Sequence, residues 1–143
     1  TYTQRWYNMQ NTKDSLYVGE EYWKQHIDEL VTKNQWKRLL TATFILELLL
    51  ESDSYGNKLE KDIHARTKKI YKPNPNELYP VLRLMEERGF VKSQWDSPDK
   101  RSKRIYQIMD TGREAYPYMK DKVLEWVERF EKFITAVRDE FSK

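Results

Sequence analysis

The sequence predicts a mainly α-helical fold that carries one small β-hairpin. Apolar residues recur at helical spacing through most of the 143 residues. Two short runs, 90–95 and 104–109, alternate instead between apolar and polar residues, as strands do. Between them stands Asp-Ser-Pro-Asp at 96–99, which supplies turn residues for a hairpin tip. We therefore expect several helices, then the hairpin, then one long terminal helix.

The first 35 residues are expected to form an aromatic arm followed by a helix. Residues 1–13 are polar and aromatic without a clear period, and we interpret them as the arm. Seven of the 20 aromatic residues lie within the first 36 positions, and buried rings contribute much of a core or an interface. We therefore expect this segment to be packed. The helix is predicted over Leu16–Val31, with one apolar face made of Leu16, Trp23, Ile27, Leu30 and Val31.

Two further helices are predicted after a break at Asn34 and Gln35. Residues 39–51 are apolar almost all round, which is typical of a central buried helix. Residues 52–54, Ser-Asp-Ser, provide the next turn and helix cap. The following helix is predicted over 55–67, with apolar residues four apart at Tyr55, Leu59 and Ile63.

The segment 72–91 predicts a short helix with defined ends. Asn74 can accept a hydrogen bond as N-cap, and Pro75 then falls at the first helical position. Glu77 completes a variant of the capping box, and Gly89 stands where a left-handed residue ends a helix. The buried stripe is predicted to hold Leu78, Leu82 and Met85. The opposite stripe holds Asn76, Pro80, Arg83 and Glu87, with Tyr79 on its flank.

The last segment, 110–141, predicts a long helix with an apolar seam. Trp126 and Phe133 widen this seam, and Pro117 is expected to interrupt and bend the helix. Such a stripe predicts packing against a partner subunit, and packing within one subunit is the alternative. Six seam residues recur at heptad-like spacings of 4, 3, 4, 3 and 4: Val123, Val127, Phe130, Ile134, Val137 and Phe141.

The net charge is only +3, but the cations are unevenly placed. Cations that flank an exposed helix predict contact with the phosphates of nucleic acid, and a solvated charge run is the alternative. One cluster precedes the 74–87 helix and contains Arg66, Lys68, Lys69 and Lys72. The other lies in the hairpin and contains Lys100, Arg101, Lys103 and Arg104.

Several classes of function lack support in the sequence. There is no cysteine, and the longest apolar stretch, around 44–50, is too short to span a bilayer. We see no signal peptide and expect a cytoplasmic location. His26 and His64 stand on separate predicted helices without other ligands, and no P-loop, GxGxxG or nucleophile elbow occurs. We therefore expect neither an enzyme nor a metal or cofactor site.

Four motifs carry a family resemblance. They are the run 46–52 followed by Tyr55-Gly56, PNPNELYP at 73–80, LMEERGFV at 84–91, and KRIYQIMDTG at 103–112. Together, residues 38–116 resemble the PadR family of bacterial transcriptional regulators, whose signature is P-x-P-x-x-L-Y-P. The chain departs from the family in about 35 residues before the central helix and in Pro117. Met109 also replaces the usual Thr, so Asp110 is expected to cap the terminal helix.

The resemblance implies a winged helix-turn-helix fold and a sequence-specific DNA-binding transcriptional regulator. We expect an N-terminal extension (1–35), a DNA-binding domain (36–109) and a C-terminal dimerisation helix (110–143). The expected form is a homodimeric repressor on a double-stranded, inverted-repeat operator, with the 74–87 helix in the major groove. The residues expected to contact DNA are Asn76, Tyr79, Arg83, Lys68, Lys69, Lys72, Lys100, Arg101, Lys103 and Arg104.

An apolar or aromatic effector is the expected signal. The family's multidrug-sensing branch holds flat apolar ligands against tryptophan, and Trp126 lies at a similar point. Length and extension more loosely resemble the branch that responds to polyhydroxybutyrate, a polyester that forms granules. The alternatives are that these rings are only core and dimer seam, and that the chain is a protein-interaction or granule-associated module without operator binding. The candidate effector residues are Phe44, Trp126, Phe130 and Phe133.

Overall fold

The computed structural model describes residues 20–97, 99 and 102–143, so the predicted arm at 1–13 and Leu16 lie outside the described residues. The predicted mainly α fold with one antiparallel hairpin is confirmed. In chain order the elements are α1 (Glu20–Thr32), α2 (Trp36–Glu51), α3 (Gly56–Arg66), α4 (Pro75–Glu87), β1 (Val91–Trp95), β2 (Arg104–Ile108) and α5 (Asp110–Phe141).

Helix α2 is the centre of the hydrophobic core. It begins at Trp36, three residues before the predicted start, and buries eight residues, including Ile45 and Leu46. Helices α1, α4 and α5 all pack against it. Burial is not all-round as predicted, because Phe44 is only half-buried and Leu50, in the last turn, is 38% exposed. The all-round apolar pattern thus marks the helix that the other elements surround.

The helix of the N-terminal extension belongs to the same core. Trp23 and Ile27 of α1 are buried, as predicted, whereas Val31 is 39% exposed and does not share that face. The Tyr118 hydroxyl of α5 donates a hydrogen bond to Asp28 at 2.5 Å. Burial, together with this bond, raises the pKa of Tyr118 to about 12, so the hydroxyl keeps its proton. Apolar packing and this bond therefore hold α1 against α5.

The turn before α3 differs from the prediction. Its N-cap residue is Tyr55, which makes no side-chain cap bond, so residues 52–54 do not supply the cap. Ser54 instead pairs with Tyr106 of β2: the Ser54 amide donates to the Tyr106 carbonyl at 3.2 Å, and the Tyr106 amide donates to the Ser54 carbonyl at 2.7 Å. Ser54, which was predicted to belong to the helix cap, therefore forms a backbone bridge instead. It joins the turn before α3 to the hairpin.

The hairpin and the start of α5 are close to expectation, with one correction. Strand β1 pairs with β2 in antiparallel register from Val91 opposite Ile108 to Trp95 opposite Arg104. Met109 is the N-cap residue of α5 and Asp110 is already helical, so capping by Asp110 was wrong. Its negatively charged carboxylate still interacts favourably with the positive N-terminal end of the helix dipole.

Helix α5 also continues through Pro117 without interruption, contrary to the prediction. Pro117 is exposed, so water can reach the carbonyl that loses its helical partner. Within the described part of the chain, no helix is both long enough and apolar enough to cross a membrane.

Candidate nucleic-acid interface

Helix α4 has fixed ends. The Asn74 side-chain oxygen accepts a hydrogen bond from the Glu77 amide at 3.0 Å, so the predicted N-cap is confirmed. The Glu77 carboxylate accepts from the Asn74 side-chain amide at 3.2 Å, rather than from a backbone amide as in a capping box. Gly89 follows the helix with a φ of 81°, the left-handed value predicted for it. The bonds at its first turn hold the N-terminus of α4 in place.

The two faces of α4 have opposite environments. Leu78, Leu82 and Met85 form the buried stripe, which confirms that prediction. On the other face, Asn76 and Arg83 are exposed. Their side chains are free to meet a ligand outside the protein, because neither belongs to the core.

Tyr79, the third residue predicted to meet DNA, is half-buried and packs across a helix end. Its ring lies over Gly56, the first residue of α3. A Cβ placed on Gly56 would lie 2.7 Å from Tyr79 Cζ and 2.9 Å from Cε1, and closer still to the hydroxyl. The missing side chain of Gly56 therefore makes room for Tyr79 and lets α4 approach α3.

A polar chain connects α4 to the hairpin, which we call the wing. Arg104 Nε donates to Ser93 Oγ at 2.7 Å, and Ser93 Oγ donates to Glu86 Oε1 at 2.6 Å. The Arg104 guanidinium also lies 3.9 Å from Glu86 and 5.2 Å from the centre of the Trp95 ring. Arg104, predicted to bind phosphate, is therefore half-buried and already partnered. Its contacts hold the wing against α4.

A cleft of about 620 Å³ separates α4 from the wing. The Lys103 ammonium lies 4.5 Å from the centre of the Tyr55 ring, a cation–π contact that holds it at this cleft. Lys100 and Arg101 lie outside the described residues. The aromatic and basic residues that line the cleft are Tyr55, Tyr79, Trp95, Tyr106, Arg83, Lys103 and Arg104. Tyr55, Trp95 and Tyr106 were not among the residues predicted for this site.

The basic cluster before α4 is divided by the structure. Lys68, Lys69 and Lys72 are exposed, and the first two have left-handed φ angles of 54° and 63°. Arg66 instead bonds to Glu51 at 2.5 Å, and this bond lowers the pKa of the Glu51 carboxyl. Three lysines of the cluster therefore keep their charge open to solvent, while Arg66 connects α3 to α2.

The second half of α5 extends beyond the core. Val123 and Val127 are half-buried, whereas every residue from 131 to 143 is exposed. The remaining residues of the predicted dimerisation seam are exposed apolar side chains: Phe130 (40%), Ile134 (39%), Val137 (39%) and Phe141 (85%). An apolar seam without cover in the described chain is unusual for a lone subunit.

The candidate effector residues occupy two places. Trp126 stacks on Trp36 of α2 at 4.2 Å between ring centres, and Phe130 stacks on Trp126 at 4.8 Å. Phe133 continues this ring stack at 6.2 Å from Phe130 and is 62% exposed. Phe44 lines a separate recess of about 140 Å³ with Val123 and Tyr116 among others. Trp36 was not among the predicted residues, because nothing in the sequence placed the start of α2 beside α5.

Metal chemistry has no support in the described residues, where no group of three or more His, Asp or Glu side chains could hold an ion. His64 uses its ring for a contact of 3.1 Å with the Lys69 carbonyl. This contact holds the turn that carries the exposed lysines.

Comparison with known proteins identifies the family to which a chain with this geometry belongs. The model of the transcriptional regulator PadR-like family matches residues 45–117. A transcriptional regulator from Clostridium thermocellum is 34% identical, with a TM-score of 0.55 over 69% of this chain and 93% of that one. A Streptococcus mutans protein shares the fold at 22% identity and a TM-score of 0.55, over 68% of this chain and 89% of that one.

A protein of Lysinibacillus sphaericus, described only as uncharacterized protein X, is 29% identical over 87 residues, which are 60% of this chain and 77% of that protein. The matched segment 45–117 contains α3, α4 and the wing, together with the last seven residues of α2 and the start of α5. The chain belongs to the PadR-like family of transcriptional regulators, whose members are DNA-binding transcription factors and not enzymes.

Proposed function

We propose that this chain is a dimeric repressor that reads an inverted-repeat operator with α4 in the major groove. The supporting observation is the exposed face of α4 beside the basic, aromatic cleft of the wing. Arg83 can bond two acceptors of guanine and Asn76 both groups of adenine, so both are suited to reading base edges. Tyr79, held over Gly56, would contact the backbone at the edge of the groove.

Phosphate contacts would come from both sides of α4. Lys68, Lys69 and Lys72 precede the helix with exposed charges, and Lys103 follows it in the wing. Lys100 and Arg101 would add to the wing's charge. Arg104 shares its charge with Glu86, so its larger role would be to hold the wing in position. Release of counterions from these contacts would make binding depend steeply on salt.

The exposed seam of α5 would be covered by a second copy of the chain. Phe130, Ile134, Val137 and Phe141 repeat at coiled-coil spacing and need an apolar partner of the same length. A two-fold dimer built on α5 would present two α4 helices to half-sites about one helical turn apart. The extension 1–35, the DNA-binding domain 36–109 and the dimerisation helix 110–143 would then be distinct functional units.

An apolar or aromatic effector would act at the ring stack. Phe133 exposes most of its ring beside Phe130, which itself stacks on Trp126, so a flat or apolar molecule could extend the stack. Polyhydroxybutyrate is the polymeric candidate, in line with the polyester-responsive branch that the extension resembles. An effector releases DNA only if it binds the DNA-free geometry more tightly than the DNA-bound one.

Selection of operator sequences from random duplexes by the purified full chain tests this function. We expect an enriched inverted repeat and an affinity that falls steeply with salt, with a flatter slope after replacing Lys100, Arg101 and Lys103 by Ala. Polyester granules and planar aromatic compounds should then release the selected duplex. Enrichment of no sequence, with the granules still bound, would instead favour a granule-associated module.

A further inference from the structure

A second cavity lies where α1, α2 and α4 meet. Its volume is about 240 Å³, and it shares no lining residue with the cleft between α4 and the wing. Six of its 14 lining residues, from His26 to Gln35, belong to the N-terminal extension, and nine lie outside residues 45–117, the segment that matches the family. The cavity therefore depends on the N-terminal extension of this chain.

The floor of the cavity is apolar and adaptable. Ile27, Ala42 and Val81 line it and are buried, as are the flexible side chains of Met85 and Met119. Methionine adjusts to irregular shapes, so such a floor suits a flexible aliphatic chain. A cavity of about 150 Å³ holds benzene, and by that scale this one has room for about ten non-hydrogen atoms.

The rim of the cavity is cationic. Lys33, Arg38 and Arg88 line it, and Glu29 is the one carboxylate among the lining residues. In the described part of the chain, none of the three cations forms an ion pair. An anion at this rim would therefore meet an excess of positive charge.

His26 gives the cavity an unsatisfied polar group. Both of its ring nitrogens are buried, and neither has a hydrogen-bond partner among the described residues. Buried polar atoms without partners are rare in native proteins, and such an atom in a cavity wall can be satisfied by a bound molecule. Burial, with Arg88 adding to the effect, lowers the pKa of His26. The ring is then neutral at pH 7 and has one N–H to donate.

We propose that this cavity binds a small aliphatic carboxylate. The hydrocarbon tail of the ligand lies on the floor of the cavity, around Ile27 and Met119. Its carboxylate contacts the cations of the rim (Lys33, Arg38 and Arg88) and accepts a hydrogen bond from the N–H of His26. Leu84 and Met85 of α4 line the cavity together with Arg88, which directly follows the helix, so the ligand contacts the DNA-reading helix from its inner side. This site goes beyond the proposed function, and its occupancy can be measured without DNA.

Octanoate, with about ten non-hydrogen atoms, is the probe that matches the cavity. We expect isothermal titration of the full chain to show one octanoate per subunit, and much weaker binding of 1-octanol and octylamine. Arg38→Gln should weaken octanoate binding about tenfold by removing a charged partner. Arg113→Gln removes an exposed cation of α5 outside the cavity and should leave binding unchanged.

A second variant tests the location through volume instead of charge. Ala42→Leu adds three carbons within the cavity and should abolish octanoate binding, with circular dichroism reporting on its fold. If that variant does not fold, the comparison of Arg38→Gln with Arg113→Gln decides whether octanoate binds at this cavity. No binding of octanoate to the full chain, equal affinity for 1-octanol, or equal losses in the Arg38 and Arg113 variants would each overturn the proposal.

Discussion

Replacing Asn74 by Ala removes the N-cap of α4 and little else. The side chain is exposed, and its described bonds both go to Glu77: one to the amide at 3.0 Å and one to the carboxylate at 3.2 Å. Asn74→Ala therefore leaves the buried stripe of α4 intact. The substitution therefore isolates the contribution of the first turn of α4, which contains the exposed Asn76, to the free energy of unfolding.

The structure limits the size of this effect. Loss of an N-cap costs about 0.5–2 kcal/mol, and the upper values apply where the amide is left without a partner. Here the Glu77 amide also lies 2.9 Å from the Asn74 carbonyl, and water reaches the site. Glu77 also keeps contacts with the Tyr71 hydroxyl at 3.3 Å and with Lys37 at 3.4 Å. We therefore expect a loss of about 1 kcal/mol.

Urea and thermal unfolding at equal protein concentrations measure this loss. About 1 kcal/mol corresponds to a fall in Tm of about 3–5 °C for a chain of this size. If DNA binds only the capped helix, operator affinity should fall up to about fivefold. Asn74→Ser is the matched control, because serine caps helices nearly as well. Equal stability of Asn74→Ala and the unchanged chain, or an equal loss in Asn74→Ser, would refute the role assigned to this cap.

Three other predictions concern DNA reading, assembly and packing. Arg83→Ala should cost about 1–3 kcal/mol of operator affinity and relax base preference at one position per half-site, and an unchanged selected sequence would remove Arg83 from the reading set. Truncation after Lys122 should yield a monomer by sedimentation with weak operator binding, and a truncated dimer would move the interface elsewhere. Gly56→Ala should destabilise the chain by about 1–3 kcal/mol through overpacking but cost little in a Tyr79→Ala background, and equal costs in both would deny the contact.

The sequence predicted secondary-structure elements, and the residues at which they begin and end, wherever interactions between nearby residues determine them. Asn74, Pro75 and Gly89 act within a turn of their own positions, so the bounds of α4 could be predicted to within a residue. The error at Ser54 arose where a distant partner decides. Ser54 had the composition of a cap, but its backbone pairs with Tyr106, more than 50 residues away.

The same distinction holds for the candidate site. Exposure of Asn76 and Arg83 followed from helical periodicity, because the buried stripe is local to α4. The engagement of Arg104 with Ser93 and Glu86 depends on strand register and on the approach of the wing to α4. A run of basic residues in a sequence carries no information on such a partner.

The stack of Trp36 on Trp126 lies where α5 leaves the core, with the last 15 residues of the helix beyond it. That free portion is about 22 Å long, so a tilt of about 10° at the stack displaces its end by about 4 Å. Successive bases are about 3.4 Å apart. In the proposed dimer the helix then works as a lever with its pivot at the two indoles. A rearrangement at these indoles no larger than the thickness of one ring would shift the two DNA-binding domains relative to each other. The two domains would then no longer match half-sites one turn of the double helix apart.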